Sequence, residues 1–325
     1  SESERLRLFS MLPLDPRQAA SYLNGAHATV AAAELLRIAA ERGLAGFTAS
    51  PGGLDILARI DLLSSPPESL TEVFQRVVNA VQQLYAADPR RETDGASDMD
   101  AVVRAAERLA SASLVCRLPS IELPEDKLAL PEKALSARLI ATPTLTERAL
   151  ARLLNSQLFI DVGSYQVKVY PDELVPFLAA RRLAGLVQSP EQAHRLVQNF
   201  AWTAATGEQG IYRQYLPLMG WLSTLNSHCR REILEREPQA LAFFGDLRHH
   251  EVPLDAAVTA LTQSIRRLVE QGDRLGRGYF TLTSENFWQA GPVRLRTTLA
   301  ALFDEYGHHH WAREALLDIA AASRC

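Results

Sequence analysis

The chain has 325 residues, enough for two or three hydrophobic cores, and its 47% hydrophobic and 22% charged residues are those of an ordinary globular protein. No run of about 18 apolar residues occurs, and the start lacks the apolar run of a secretory signal, so we expect no membrane-spanning helix and no secretion. A net charge of −4 argues against bulk attraction to nucleic acid or anionic lipid, and three widely spaced cysteines indicate a reduced, cytoplasmic protein.

Residues 1–93 predict a compact helical bundle. Asp15 is placed to cap the first helix, and a short amphipathic turn precedes Pro51. The polar residues 86–99 mark a domain boundary. Apolar residues at helical spacing predict helices at 16–25, 29–41, 54–60 and 70–85.

Residues 94–187 predict a winged-helix domain. Apolar and polar residues alternate along two short runs on either side of a turn at 163–164, which is the pattern of a two-stranded wing. Helical spacing returns at 174–183. Before the wing we predict a helix at 100–110, a loop or short strand at 117–130, a short helix at 131–139 and a candidate recognition helix at 144–155. The wing is nearly the only clear β-structure in the sequence.

Residues 188–325 predict one helix after another, separated by Gly or Pro. The predicted helices are 191–203, 212–225, 228–236, 254–270, 293–306 and 311–321. Helical hairpins stacked on one another fit this pattern better than a globular bundle does. The predicted fold class is therefore mainly α: a helical bundle, a winged helix with a small β-hairpin, and α-solenoid-like helical hairpins.

The sequence lacks the common motifs of an independent enzyme, since GxxxxGK[ST], GxSxG, HExxH and CxxC do not occur. The histidine triplet 308–310 is interpreted as a solvated turn, because consecutive residues point in different directions and rarely share a metal ion. Histidines 249–250 are interpreted as a polar loop, and His228 beside Cys229 as the start of a helix. We therefore expect no catalytic residue, no metal site and no cofactor held by this chain alone.

A winged helix also raises the alternative of a nucleic-acid-binding regulator with a helical effector or dimerisation domain. The candidate recognition helix offers Arg148 and Arg152, and the wing offers Lys168. A DNA-reading helix usually brings more cationic and amide side chains to the groove, so we expect no nucleic-acid partner. Arg181 and Arg182 are interpreted as solvated rather than as an anion site.

Three segments of the chain resemble the NACHT-type module of STAND regulatory NTPases. LPLDPRQAASYL, at 12–23, is similar to the segment that follows the last strand of the nucleotide-binding core. GLAGFTASPGGLDIL, at 43–57, is similar to the glycine-leucine … proline-leucine-x-leucine motif of the family. VKVYPDELVPFLAARRL, at 167–183, is similar to the end of the winged helix of the family. The order and spacing of these segments carry the resemblance, which covers about residues 10–185.

The resemblance implies that Pro51 lies against a nucleotide and is the one cofactor-site residue of the chain. The phosphate-binding loop, the magnesium aspartate and the first sensor would precede Ser1, so ATP and magnesium would belong to a longer parent protein. Ser1 is also not an initiator Met, which favours an excised piece. The histidine of the family winged helix aligns with Pro171 and its glutamate with Pro176, and a proline cannot replace that histidine at the β-phosphate.

The resemblance further implies a sensor after the winged helix. The segment 226–247, NSHCRREILEREPQALAFFGDL, is similar to helical repeats of large bacterial STAND proteins linked to phage defence. The expected partners are a protein ligand on the helical repeats, an upstream nucleotide-binding core, and further copies of the protein on activation. Hinge motion is expected at 86–99 and near 184–190.

Overall fold

The computed structural model describes residues 13–42, 44–86, 99–123, 134–140, 145–163, 166–205, 207, 209–275, 291 and 293–323. These residues are mainly helical with a small amount of sheet, so the predicted fold class is confirmed. None of the described helices is long and apolar enough to cross a membrane.

The N-terminal bundle follows the predicted helices closely. Its helices are α1 (Pro16–Ala26), α2 (Ala32–Glu41), α3 (Ala45–Thr48), α4 (Pro51–Arg59) and α5 (Leu70–Ala86). Asp15 caps α1 as predicted, because its carboxylate accepts hydrogen bonds from two backbone N–H groups of the first turn. Helix α2 begins later than predicted, since the N–H of Val30 closes a turn onto the carbonyl of His27.

The winged-helix part contains the two strands of the wing, a short strand where a loop or short strand was predicted, and one strand that was not predicted. Its elements are α6 (Met99–Cys116), β1 (Ser120–Glu122), β2 (Ala134–Ser136), α7 (Ala137–Ile140), α8 (Glu147–Leu154), β3 (Phe159–Gly163), β4 (Gln166–Val169) and α9 (Leu174–Ala184). The predicted helix at 131–139 is wrong for 134–136, which form β2, and its first residues, 131–133, lie outside the described part of the chain. Backbone pairing with β1 overrides local helical spacing in this short segment.

The four strands form one sheet in the order β2–β1–β4–β3. Strands β3 and β4 are antiparallel, with Phe159 opposite Val169, which confirms the predicted wing. Strand β1 pairs antiparallel with β4 through Ile121 and Val167, and parallel with β2. Ile121, Val167 and Val169 are buried, so this face of the sheet packs on the helices. The turn predicted at 163–164 lies partly outside the described residues.

The C-terminal part, which we call the helical array, contains helices and one further hairpin. Its elements are α10 (Pro190–Gln198), β5 (Ala201–Thr203), β6 (Gln209–Ile211), a 3-10 turn (Arg213–Tyr215), α11 (Leu216–Leu225), α12 (Ser227–Arg236), a π turn (Ala240–Phe244), α13 (Leu254–Leu275), a 3-10 turn (Val293–Leu295), α14 (Arg296–Tyr306) and α15 (His310–Ser323).

The β5–β6 hairpin corrects two predictions. The helix predicted at 191–203 ends at Gln198, and the wing is not the only hairpin of the chain. Trp202 lies opposite Gly210, where an added Cβ would lie only 2.6 Å from the indole ring. The glycine therefore makes room for the tryptophan, and this cross-strand contact has no signal in the local sequence pattern.

The helices of the array pack on their neighbours along the chain. Helix α11 contacts α9, α12 and the π turn, whereas α12 contacts α10. Helices α13, α14 and α15 contact one another. Gly220 of α11 allows a close approach to the π turn, since an added Cβ would lie 2.3 Å from the carbonyl carbon of Phe244. This neighbour-to-neighbour packing is compatible with the predicted helical hairpins.

The buried core does not divide at the predicted domain boundaries. One cluster of buried residues runs from Ala19 to Ala240, and a second runs from Leu241 to Ile319. Phe74 of α5, Phe177 of α9 and Trp221 of α11 form what we call the aromatic joint, with ring centroids 5.0 to 5.4 Å apart. The division into 1–93, 94–187 and 188–325 stays a prediction about modules, while the packing unites them.

Candidate functional site

The three segments that resemble the STAND family meet in space around α3 and α4. They are separated by up to about 140 residues of sequence, yet each contributes a hydrogen bond to the same region. The hydrogen bonds run from the Leu14 N–H to the Ala49 carbonyl at 3.0 Å, from the Tyr22 hydroxyl to Asp55 Oδ1 at 2.9 Å, and from the Tyr170 hydroxyl to the Gly46 carbonyl at 2.6 Å.

Pro51 is the first residue of α4 and is partly buried at this meeting point. The Ser50 side chain caps the helix by accepting a hydrogen bond from the N–H of Gly53. Gly53 allows the backbone of α3 to approach, since an added Cβ would lie 2.2 Å from the carbonyl oxygen of Phe47. The position of Pro51 is therefore fixed by a helix cap and by a close backbone contact.

A polar group that we call the Asp55 cluster lies one helical turn after Pro51. Asp55 Oδ1 accepts a hydrogen bond from Tyr22 and lies 2.8 Å from His27 Nε2, and Oδ2 accepts a longer hydrogen bond, of 3.4 Å, from Gln157 Nε2. Gln157 also packs on Gly52, with its Cγ 3.6 Å from an added Cβ there. Burial and the Asp55 carboxylate raise the pKa of Tyr22, so it stays a hydrogen-bond donor. The cluster joins the bundle to the winged helix.

Glu173 makes a second contact between the winged helix and the motif around Pro51. Its carboxylate fills the space that a side chain at Gly46 would need, with oxygens 2.4 and 2.7 Å from an added Cβ. Burial raises the pKa of Glu173, and the neighbouring Asp172 adds to this effect. Only glycine fits at position 46 without displacing this carboxylate.

The Asp55 cluster is arranged to position neighbouring residues rather than to react. Both oxygens of Asp55 are occupied by hydrogen bonds, and its phenol, imidazole and amide partners are held in turn by it. The cluster therefore holds α1, α4 and the segment after α8 together. The predicted role of Pro51 stays a prediction. Pro171, which aligns with the histidine of the family winged helix, is buried.

Two of the cations considered for nucleic-acid binding are engaged within the molecule. Arg152 lies over the ring of Tyr85, 4.9 Å from its centroid, and donates to the Tyr85 hydroxyl at 3.2 Å. Lys168 of the wing pairs with Asp172 at 2.9 Å. Arg148 is exposed on α8. The candidate recognition helix is thus packed against α5 through one of its two arginines.

Arg181, interpreted from the sequence as solvated, is engaged within the molecule while its side chain stays 27% exposed. It forms an ion pair with Glu107 of α6 at 3.1 Å and lies 5.8 Å from the ring centroid of Phe177. Burial raises the pKa of Glu107, while the nearby Arg181 and Arg182 oppose this rise. The pair links α6 to α9 inside the winged helix.

The described residues contain no group of three or more His, Cys, Asp or Glu side chains that could hold a metal ion. The histidines at 308–310 are exposed at the α14–α15 turn, whereas His249 is buried and its pKa is lowered by burial. Burial also raises the pKa of the Cys229 thiol to about 12, so it stays protonated near neutral pH and is a poor metal ligand.

Sequence reasoning did not single out the residues that surround Pro51. Tyr22, His27, Asp55 and Gln157 come from three separate stretches, and none belongs to a chemical motif. The glycines of the 43–57 segment are the one available signal, since close backbone approach is a common reason for glycine. A scan against protein-family models and a search of curated proteins each found no match for the chain.

Proposed function

We propose that this chain is the regulatory and sensor portion of a STAND, NACHT-like NTPase of bacterial antiviral defence. It couples the binding of a protein ligand on the helical array to the nucleotide state of an upstream core that holds ATP and magnesium. The chain has no catalytic activity of its own in this scheme. Ligand binding favours an open arrangement by differential affinity, and the open form assembles with further copies in the cytoplasm.

The observation that supports this proposal is the convergence of the three family-like segments on one region. Hydrogen bonds from Leu14, Tyr22 and Tyr170 all end on the stretch from Gly46 to Asp55. Pro51 lies within that stretch, partly buried and fixed at the start of α4. The three segments, which carry the resemblance through their order in the sequence, thus lie together in the fold.

Replacing Pro51 with Ala tests the proposal in the longer parent protein. We expect about five- to tenfold weaker ATP binding, because the loss of two buried CH₂ groups at the nucleotide costs on the order of 1–1.5 kcal/mol. Titration with a fluorescent ATP analogue measures the effect. Pro66→Ala, in an exposed turn of the same bundle, is the matched control and leaves binding unchanged.

Two outcomes would contradict the proposal. One is a parent protein whose sequence contains no phosphate-binding loop about one domain length before Ser1. The other is ATP binding that does not change when Pro51 is replaced, with the fold intact by circular dichroism.

The winged-helix order of strands and helices, with Arg148 exposed on α8, favours one alternative, a nucleic-acid-binding regulator. Such a regulator loses affinity steeply with salt, because each phosphate contact releases counterions. We expect weak duplex DNA binding with a shallow salt dependence. A steep slope that is reduced by Arg148→Ala would favour the alternative.

A further inference from the structure

Asp246, two residues after the π turn, reaches from the helical array into the N-terminal bundle. It is fully buried, and its Oδ2 accepts hydrogen bonds from both the N–H and the hydroxyl of Thr71 at 2.7 Å. Its Oδ1 accepts from the Arg248 N–H at 3.0 Å, and its own N–H donates to Thr224 Oγ1 at 2.8 Å. Every polar group of this aspartate is therefore used, as a buried carboxylate requires.

Thr71 is the second residue of α5, so Asp246 acts as a helix cap supplied from 175 residues away. The first N–H groups of a helix have no partner within the helix, and its positive end favours a carboxylate. Ser69 provides the local cap by accepting from the Glu72 N–H at 3.2 Å. The start of α5 is thus stabilised jointly by the bundle and by the array.

Helix α5 also contacts the other parts of the chain along its length. Phe74, one turn further on, belongs to the aromatic joint. Tyr85, in the last turn, donates to the Ala149 carbonyl at 3.4 Å and lies under Arg152 of α8. The 17 residues of α5 span about 25 Å, and the helix packs on α4, which begins at Pro51.

The segment 184–190, where hinge motion was expected, is held by side-chain hydrogen bonds. Asn226 donates from Nδ2 to the carbonyls of Ala184 and Val187 at 3.2 and 3.1 Å. The same side chain caps α12 through the N–H groups of His228 and Cys229. The array therefore rests on the winged helix and on α5 at once, and bending at 184–190 alone would break both sets of contacts.

We infer that α5 transmits a displacement of the helical array to the region of Pro51, and that the Thr71–Asp246 contact is where the array acts on it. This inference rests on the proposed function for its biological meaning, but the mechanical coupling belongs to this chain alone. The array does not move independently of the bundle while Asp246 caps α5. A ligand that moves the array either shifts α5 or removes its cap.

Hydrogen–deuterium exchange on the whole chain tests the coupling. In Thr71→Val and in Asp246→Asn, we expect backbone N–H groups at 70–74 to exchange about tenfold faster, because a hydrogen bond to a charged group is lost or weakened. We expect a smaller acceleration at 54–57 of α4, which lies beside Pro51. The Thr71→Ser variant keeps the hydroxyl, so we expect exchange at 70–74 and at 54–57 to stay slow.

Asp304→Asn is the matched control, because Asp304 is an exposed aspartate of the array and its replacement leaves exchange at 54–57 and 70–74 unchanged. The inference would be overturned if exchange became faster only at residues next to position 246. In that case the exchange rates at 70–74 and 54–57 would equal those of the unsubstituted chain. If Asp246→Asn does not fold, the comparison of Thr71→Val with Thr71→Ser still decides the matter. If the coupling is seen but the longer protein binds no nucleotide, the proposed function fails and the inference stands.

Discussion

The aromatic joint and the Asp55 cluster both connect distant parts of the chain, but they do so by different physical means. The three rings of the aromatic joint are at most 4% exposed, so their contacts are protected from water. In the Asp55 cluster the side chains of His27 and Asp55 are 22% and 25% exposed, so water competes for each hydrogen bond. The aromatic joint is therefore expected to stay intact. A rearrangement costs less free energy at the Asp55 cluster.

The expected energies support this distinction. Truncating a buried aromatic side chain typically costs 3–5 kcal/mol, whereas one hydrogen bond contributes on the order of 1 kcal/mol. A displacement of the helical array is therefore expected to leave the aromatic joint intact and to change the contacts near Pro51. The following substitutions separate the two connections.

Trp221→Ala should have the largest effect, because it removes a ring that both Phe74 and Phe177 contact. We expect the free energy of unfolding to fall by about 3–5 kcal/mol, as measured by urea denaturation. Tyr212→Ala, at a side chain that is 49% exposed, is the control and should change it by less than about 0.5 kcal/mol. Equal losses in the two variants would contradict the role of the joint.

Gly220→Ala should have the next largest effect, since the added methyl group meets backbone atoms of the π turn at 2.3 to 2.5 Å. Overpacking of this kind typically costs about 1–3 kcal/mol, measurable as a lower thermal midpoint. Gly25→Ala is the matched control, because nothing lies within 4 Å of an added Cβ in the last turn of α1. There we expect unchanged or slightly higher stability. A stable Gly220→Ala variant would show that α11 and the π turn separate easily.

Asp55→Ala should destabilise the fold less, by on the order of 1 kcal/mol, because water can replace part of each hydrogen bond. A double-mutant cycle with Tyr22→Phe measures how much of this loss belongs to the hydrogen bond between the two residues. A loss as large as that of Trp221→Ala would show that the polar connection is not the weaker of the two.

Glu173→Gln should have the smallest effect, and one that depends on pH. Burial raises the pKa of Glu173, so the folded chain holds a proton there at a pH where the unfolded chain has released it. This residue therefore opposes folding more as the pH rises through that window, and the opposition is absent below the ordinary glutamate pKa. The stability of the variant relative to the unsubstituted chain should rise as the pH is raised above the ordinary glutamate pKa.

The exposed Glu305→Gln serves as the control for this titration and should show no such slope. A relative stability that is flat, or that falls with rising pH, would mean that Glu173 is not destabilised by burial in the folded chain. Urea denaturation at each pH provides the measurement.

Much of the fold could be predicted because its signals are local. Asp15 caps its helix from the position next to it, and the wing shows alternation within about a dozen residues. Strand β2 could not be predicted, since three residues gain their conformation from pairing with β1. The β5–β6 hairpin depends on the contact of Trp202 with Gly210, which no periodicity reveals.

The candidate site was harder to predict than the fold. Pro51 was found through a resemblance, and its placement at the start of α4 agrees with the local preference of proline. Its polar neighbours come together only through tertiary packing, so Gln157 and Asp55 gave no signal at a separation of 102 residues. The cap of α5 by Asp246 is hidden in the same way.

The aromatic joint also determines how such a protein can diversify. A chain shortened to residue 187 would lose Trp221, leave the faces of Phe74 and Phe177 open to water, and be prone to aggregate. A different helical array joined to this bundle would need an indole, or a ring of similar shape, at the same place. Recombination between such proteins is therefore expected to succeed when α5, α9 and α11 are inherited together.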